Sequence, residues 1–325
     1  MTVRDRTAGY MPGQAGVLGI DFTARYAKSM MADSRLLYVN PNHDRATDNG
    51  NTGEDPECPF ATVAAALLRC RDNRGDVIFV GQNDGWQWGG GSAWRTPIAE
   101  EVIITVDGIS LVGIQPGTMG VPWNPVTAAG AGVCITVNAI DVSIEGFNFF
   151  ADTALGGTAI AMNWDGTTTF GDNTEISYCQ FDEDVTTAIQ GDGTWYTHIH
   201  HCWFQQVDTD GIIATAAESF HIHDCTFIDA GVPSSGAAIA LPGADRCNIH
   251  HNYIFNSNAI AAAAATDEGI NLTGGSDNIV GGNYFSCILT DTGANGDWGD
   301  LNTGGATDAW PGNWCTTGLA VTTPS

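Results

Sequence analysis

One short phrase recurs between residues 144 and 285: Ile or Val, two residues, a small or aromatic residue, one residue, then an aromatic or aliphatic. It reads Ile144-Glu-Gly-Phe147-Asn-Phe149, Ile176-Ser-Tyr-Cys179-Gln-Phe181 and Ile199-His-His-Cys202-Trp-Phe204. It continues as Ile222-His-Asp-Cys225-Thr-Phe227, Ile249-His-His-Asn252-Tyr-Ile254 and Val280-Gly-Gly-Asn283-Tyr-Phe285. The fourth positions lie 32, 23, 23, 27 and 31 residues apart. An irregular period of this size, with alternation inside each copy, is the signature of a solenoid.

Apolar or small residues at the first, fourth and sixth positions follow a period of two, so the phrase reads as strand. A second strand phrase follows at a nearly constant offset: Thr158-Ala-Ile160-Ala-Met162, Ala188-Ile189, Gly211-Ile-Ile-Ala214, Ala237-Ala-Ile239-Ala-Leu241 and Gly269-Ile270-Asn-Leu272. Two or three short strands per coil, joined by Gly-, Asp- and Thr-rich turns, predict an all-β fold, a right-handed parallel β-helix. Stacked coils place equivalent residues about 4.8 Å apart. Cys179, Cys202 and Cys225 are therefore expected to form an inward ladder continued by Asn252 and Asn283, whose amides can satisfy one another.

Upstream, Val77-Ile-Phe-Val80 and Ile109-Ser-Leu-Val112-Gly-Ile114 read as early coils, and Arg35-Leu-Leu-Tyr-Val-Asn40 precedes them. Pro59-Phe60-Ala-Thr-Val63-Ala64-Ala-Ala-Leu67-Leu68 predicts a short amphipathic helix, with Pro59 in its first turn and Arg69, Arg71 and Arg74 at its C-terminal end. Such a helix would cover the open end of the first coil, an edge otherwise prone to aggregation. Trp298, Trp310 and Trp314 are expected to cover the other end. The expected division is a docking arm at 1–34, an N-terminal cap at 35–75, the β-helix at 76–290 and a C-terminal cap at 291–325. The arm fits neither coil nor cap, and its apolar anchors are Tyr10, Phe22, Tyr26 and Met30.

The charge is distributed unevenly. Residues 1–95 carry ten of the eleven basic groups and eleven acids, whereas residues 96–325 carry Arg246 alone against 26 acids. So acidic a solenoid excludes nucleic acid as a partner. Nine cysteines, an odd number, with parallel side chains in the ladder, read as free buried thiols made in a reducing cytosol. The start, Met1-Thr-Val-Arg-Asp-Arg, has no apolar core of a secretory signal, and no apolar run is long enough to span a membrane.

Several side-chain sets bear on chemistry. A lyase needs a basic group to take the sugar's α-proton, and the solenoid offers one arginine and no lysine. A hydrolase needs two or three carboxylates at set separations. Asp208-Thr-Asp210-Gly211 faintly resembles the acidic motif of polygalacturonase-type hydrolases, but the companion elements of that family are absent, so Asp208 and Asp210 stand as the alternative catalytic pair only. Seven of the eight histidines fall in three neighbouring coils. His200, His223 and His250 share one outward position, and His198 and His221 share another. Stacked imidazoles can bind zinc or copper; rings stacked for contact alone are the preferred reading, with no metal or cofactor expected. Trp86, Trp88 and Trp94, in a glycine-rich stretch, are suited to stacking on sugars or anchoring a neighbouring subunit.

The chain resembles the right-handed parallel β-helix (pectate-lyase-like) superfamily over roughly residues 36–290. The carriers are Leu-Leu-Tyr-Val-Asn-Pro-Asn, the Asp-Asn-Gly turn, Pro-Phe-Ala-Thr-Val-Ala-Ala-Ala-Leu, Gly-Asp-Val-Ile-Phe-Val and Ile-Ser-Leu-Val-Gly-Ile. Such openings are common in tailed-phage virion proteins. The resemblance implies the fold but no catalytic residue, because this superfamily spans enzymes, spikes and passive fibres. The expectation is a non-enzymatic virion protein, made in the host cytoplasm. It would be a capsid decoration or short spike, homotrimeric and anchored to other virion proteins by its arm. The alternative is a spike that binds or hydrolyses a host surface glycan with carboxylates of the solenoid face.

Overall fold

The computed structural model describes residues 33–81, 98–114, 120–123, 132–150, 157–162, 171–182, 185–231, 236–256, 268–287 and 307–315. Its strands form three sheets of nine, eight and seven strands, and every strand pairing is parallel. The first sheet runs from Leu36–Val39 through Val77–Gly81, Ser110–Ile114, Ser143–Glu145, Glu175–Ser177, His198–His200, His221–His223 and Asn248–His250 to Ile279–Gly281. The second runs from Val121–Trp123 to Trp314–Cys315, and the third from Val102–Ile104 to Glu268–Asn271. From Ser110 to Asn271 the chain visits the first, second and third sheets in turn. This is the solenoid the phrase predicts.

The phrase is not one strand, however. Its first two residues belong to the first sheet and its last two or three to the second, with a corner between them. The third position carries the bend: Gly146, Tyr178, His201, Asp224, His251 and Gly282 all have positive φ. A left-handed residue with a side chain costs roughly 1 kcal/mol or more. The stacking offsets this, because the corner amides of Tyr178, His201 and His251 donate to the carbonyls of His200, His223 and Gly281 one coil on. Gly146 has no alternative, since a Cβ there would lie 2.6 Å from the Gly113 carbonyl oxygen.

Inside, the predicted ladder is present. Cys179, Cys202, Cys225, Asn252 and Asn283 are all buried, and the thiols of Cys202 and Cys225 donate to the carbonyls of Ile176 and Ile199. Asn252 Nδ2 donates to Asn283 Oδ1 at 3.0 Å and Asn283 Nδ2 to Asn313 Oδ1 at 3.1 Å, so the inward ladder of cysteines and asparagines gains a sixth member. Asn313 belongs to a seventh copy of the phrase, Trp310-Pro-Gly-Asn313-Trp-Cys315, in which a buried Trp310 replaces the isoleucine. Next to the ladder, Phe149, Phe181, Phe204 and Phe227 stack with centroids 5.2, 4.8 and 4.4 Å apart.

Both ends differ in detail from expectation. Helix α1 is Val63–Leu67, with Thr62 as N-cap. Pro59 lies outside it, because Phe60 is held extended by a parallel bridge to Val39. The first-turn amides of Val63 and Ala64 donate to the Glu100 carboxylate, which closes the N-terminus from 36 residues away. The arginines do not sit on the last turn: Arg74 instead grips buried Asp76 with two hydrogen bonds of 2.8 and 2.5 Å. Val63, Ala66 and Leu67 do join the core against Leu37, Val39 and Ile78, so the helix covers the first coil as expected. At the far end Trp310 is buried, but Trp314 is 71% exposed because its strand adds a rung and turns the ring outward. Trp298 lies outside the described residues. Cys58, Cys70, Cys134, Cys179, Cys202, Cys225 and Cys247 are free thiols, and Cys58 is only half-buried where a buried thiol was expected.

Candidate functional site: a histidine comb on the outer face of the first sheet

Alternation fixes which side chains leave the core. Ile176, Ile199, Ile222 and Ile249 point inward and are fully buried, so the residues flanking each isoleucine point outward. The strand register places Glu175, His198, His221 and Asn248 in one column and Ser177, His200, His223 and His250 in the next. Both columns were legible in the sequence.

Contacts across the columns were not. His198 Nε2 lies 2.6 Å from His223 Nε2, and His221 Nε2 lies 2.6 Å from His250 Nε2, each diagonally across one coil. Rings within a column stack nearly parallel, His198 on His221 and His200 on His223 on His250, with centroids 4.8, 5.2 and 5.0 Å apart. Acids flank the comb. Glu175 Oε1 is 2.9 Å from His200 Nε2, and Asp224 Oδ2 is 2.7 Å from His223 Nδ1. His201 and His251, at the corners, meet the Nδ1 atoms of His200 and His250 at 2.8 Å.

Burial and mutual repulsion disfavour the charged form of His198, His221 and His250. Desolvation, then the neighbouring imidazoles, push the His198 pKa down to about 4, and the same causes lower those of His221 and His250. Two sets bring ligand atoms within 4.8 Å of one another: His198, His221 and His223, and Glu175, His198 and His200. The sequence pointed to His200, His223 and His250 in one column. The geometry instead joins residues of adjacent columns, because diagonal neighbours turn their Nε2 atoms towards each other while same-column rings lie face to face.

The carboxylate pair fares differently. Asp210 is buried, and its Oδ1 accepts the Ala237 amide of the next coil at 3.0 Å. Burial raises its pKa. Asp208 is half-buried in the preceding turn, its amide donating to the Val185 carbonyl at 2.9 Å. Tyr10, Phe22, Tyr26, Met30, Trp86, Trp88 and Trp94 lie outside the described residues.

A stripe that the sequence reading missed runs along the second sheet. The fifth position of the phrase points outward, and there Trp203, Tyr253, Tyr284 and Trp314 are 42, 38, 38 and 71% exposed. Thr226 stands in the register between Trp203 and Tyr253. Tyr253 and Tyr284 stack at 5.1 Å, and Trp314 follows Tyr284 directly. Among the described residues no helix is long and apolar enough to cross a membrane.

Comparison with known proteins bears on the fold. A family model described as right handed beta helix region matches residues 187–292. Comparison with curated protein sequences gave no match. Among solved structures, the GH136 lacto-N-biosidase from Eubacterium ramulus is similar with a TM-score of 0.58 and 11% identity, over 91% of this chain and 57% of that one. This chain thus spans little more than half of that protein's length. An alginate lyase from Paenibacillus matches with a TM-score of 0.41 and 13% identity, over 86% of this chain and 76% of that one. The tailspike protein of E. coli bacteriophage HK620, in complex with a pentasaccharide, matches with a TM-score of 0.40 and 11% identity, over 91% of this chain and 52% of that one. At these values the first likeness speaks for the fold, and none speaks for an activity. With its three parallel sheets and the match over residues 187–292, the chain has the right-handed parallel β-helix fold.

Proposed function

We propose that the chain is a non-enzymatic virion structural protein, a capsid decoration or short spike mounted through its N-terminal arm and assembled as a homotrimer. The observation that carries this reading is the use of Asp210. In the one hydrolase-like acidic motif, the second carboxylate is buried and holds the Ala237 amide of the next coil. A group committed to a turn in this way stabilises the stack and is poorly placed to reach a glycosidic bond. The scarcity of bases on residues 96–325 supports the same reading against lyase chemistry, and the opening sequence resembles those of tailed-phage virion proteins. Two experiments test it. Mass spectrometry of purified particles should find the chain at stoichiometric occupancy, lost when residues 1–34 are deleted; normal occupancy of the truncated protein refutes anchoring by the arm. A panel of host polysaccharides should show no reducing-end release; release that disappears in Asp208→Asn/Asp210→Asn refutes the non-enzymatic reading.

A second reading is favoured by the exposed ring stripe. Trp203, Tyr253, Tyr284 and Trp314 present flat apolar faces along an otherwise acidic rod, which suits binding of a neutral host surface glycan without cleavage. On a glycan array, Tyr253→Ala/Tyr284→Ala should abolish whatever signal the parent protein gives.

A further inference from the structure

We propose that the histidine comb is a binding site for one borderline divalent transition-metal ion, zinc(II) in the first instance, held by His198, His221 and His223. Stacked rings alone do not account for three features of the comb.

The ligand atoms converge. Those of His198, His221 and His223 lie within 4.8 Å of one another, while two ligands of a tetrahedral zinc with bonds of about 2.0–2.1 Å sit roughly 3.3 Å apart. Small side-chain rotations close that difference without moving the backbone, which the stacked sheet holds.

Next, His223 is already oriented as a ligand. Its Nδ1 faces Asp224 Oδ2 at 2.7 Å, so the proton belongs on Nδ1 and the lone pair of Nε2 points at His198. A carboxylate on the far nitrogen of a ligating imidazole fixes its tautomer and raises its basicity. In the metal-free protein the His198–His223 contact at 2.6 Å then requires His198 to carry its proton on Nε2. On binding, that proton shifts to Nδ1 of the same ring, and Nε2 turns its lone pair to the ion. No net proton is lost at neutral pH.

The charge also fits. Glu175 and Asp224 flank the rings, and the chain carries a formal charge of −26, so a dication enters an attractive field. Three imidazoles with carboxylates beyond them match zinc, nickel or copper rather than magnesium or calcium.

The test uses the full chain, stripped with a chelator and titrated with zinc(II) by calorimetry and with cobalt(II) by visible absorption. One ion per chain should bind, and cobalt should show the intense d–d bands of a four- or five-coordinate nitrogen site. His198→Ala/His223→Ala should weaken binding by at least about 100-fold, and Asp224→Asn by about 10- to 100-fold, while His43→Ala, in a turn far along the chain, leaves it unchanged. Circular dichroism and the unfolding midpoint confirm that each variant is folded; Asp224→Asn, exposed at a corner, keeps the proposal testable if the double variant is not. Absence of stoichiometric binding overturns the inference. So does binding that the His198/His223 variant leaves intact, or cobalt spectra of the octahedral aquo type.

Discussion

The inner and outer faces of the first sheet are built by one register and yield opposite properties. Inward, Ile176, Ile199, Ile222 and Ile249 form a column of identical side chains that need nothing beyond one another. Outward, on residues immediately adjacent in the chain, His198, His221 and His223 form columns whose ring nitrogens oppose each other. Repetition inside a core adds dispersion contacts at every rung. Repetition of an ionisable group at the surface concentrates lone pairs and holds off protons. The lesson is that stacking amplifies whatever the side chain already does.

The strongest way to break this comparison is from the inside. Phe204 sits between Phe181 and Phe227 in the aromatic stack, and Phe204→Ala should cost about 3–5 kcal/mol, read as a fall in the urea midpoint. A second cut falls on the amide ladder. Asn283→Ala removes the partner of the Asn252 amides and of the Ile249 carbonyl, and stranding buried polar groups should cost about 2–3 kcal/mol in the same assay.

Acid sharpens the outer side. The folded chain holds His198 at about 4, below its ordinary 6.5, so the unfolded chain takes up protons first. Stability is therefore fully present above pH 6.5 and falls as the pH drops from 6.5 towards 4; unfolding midpoints across that range should decline less in His198→Ala than in the parent. The smallest effect is expected from the comb itself at pH 7.5 without metal, where His198→Ala/His223→Ala should change stability by no more than about 0.5 kcal/mol. A large loss there would mean that the outer columns carry packing after all.

The repeat was legible because the first, fourth and sixth positions of the phrase are constrained by burial, and burial permits few residue types. It stopped being legible where that constraint is met in an unusual way. Trp310 fills the isoleucine position of the seventh copy, so the copy was hidden although Asn313 kept the amide ladder going. The corner at the third position was hidden for a different reason. Its residues include Gly, Tyr, His and Asp, joined by a shared left-handed backbone and not by polarity or size. For the comb, the columns were legible, since register follows from the inward isoleucines. The diagonal pairing of Nε2 atoms depends on ring rotation, which no spacing encodes. The outward stripe of Trp203, Tyr253, Tyr284 and Trp314 could have been found by reading the fifth position of the phrase down its copies.

Arg246 is the sole basic residue after Arg95, and it pairs with Glu218 from a left-handed corner. For a protease such as trypsin, which cuts after Arg or Lys, residues 96–325 contain a single cleavable bond, the one to Cys247. That bond leads straight into the stack: Cys247 is buried, and its amide donates to Asn278 Oδ1 at 2.8 Å. Cutting there requires the coil to open, so the appearance of two fragments of known length times the local opening of one rung. The rod carries its own internal gauge of fraying, set at a single position by a sequence that discarded every other base.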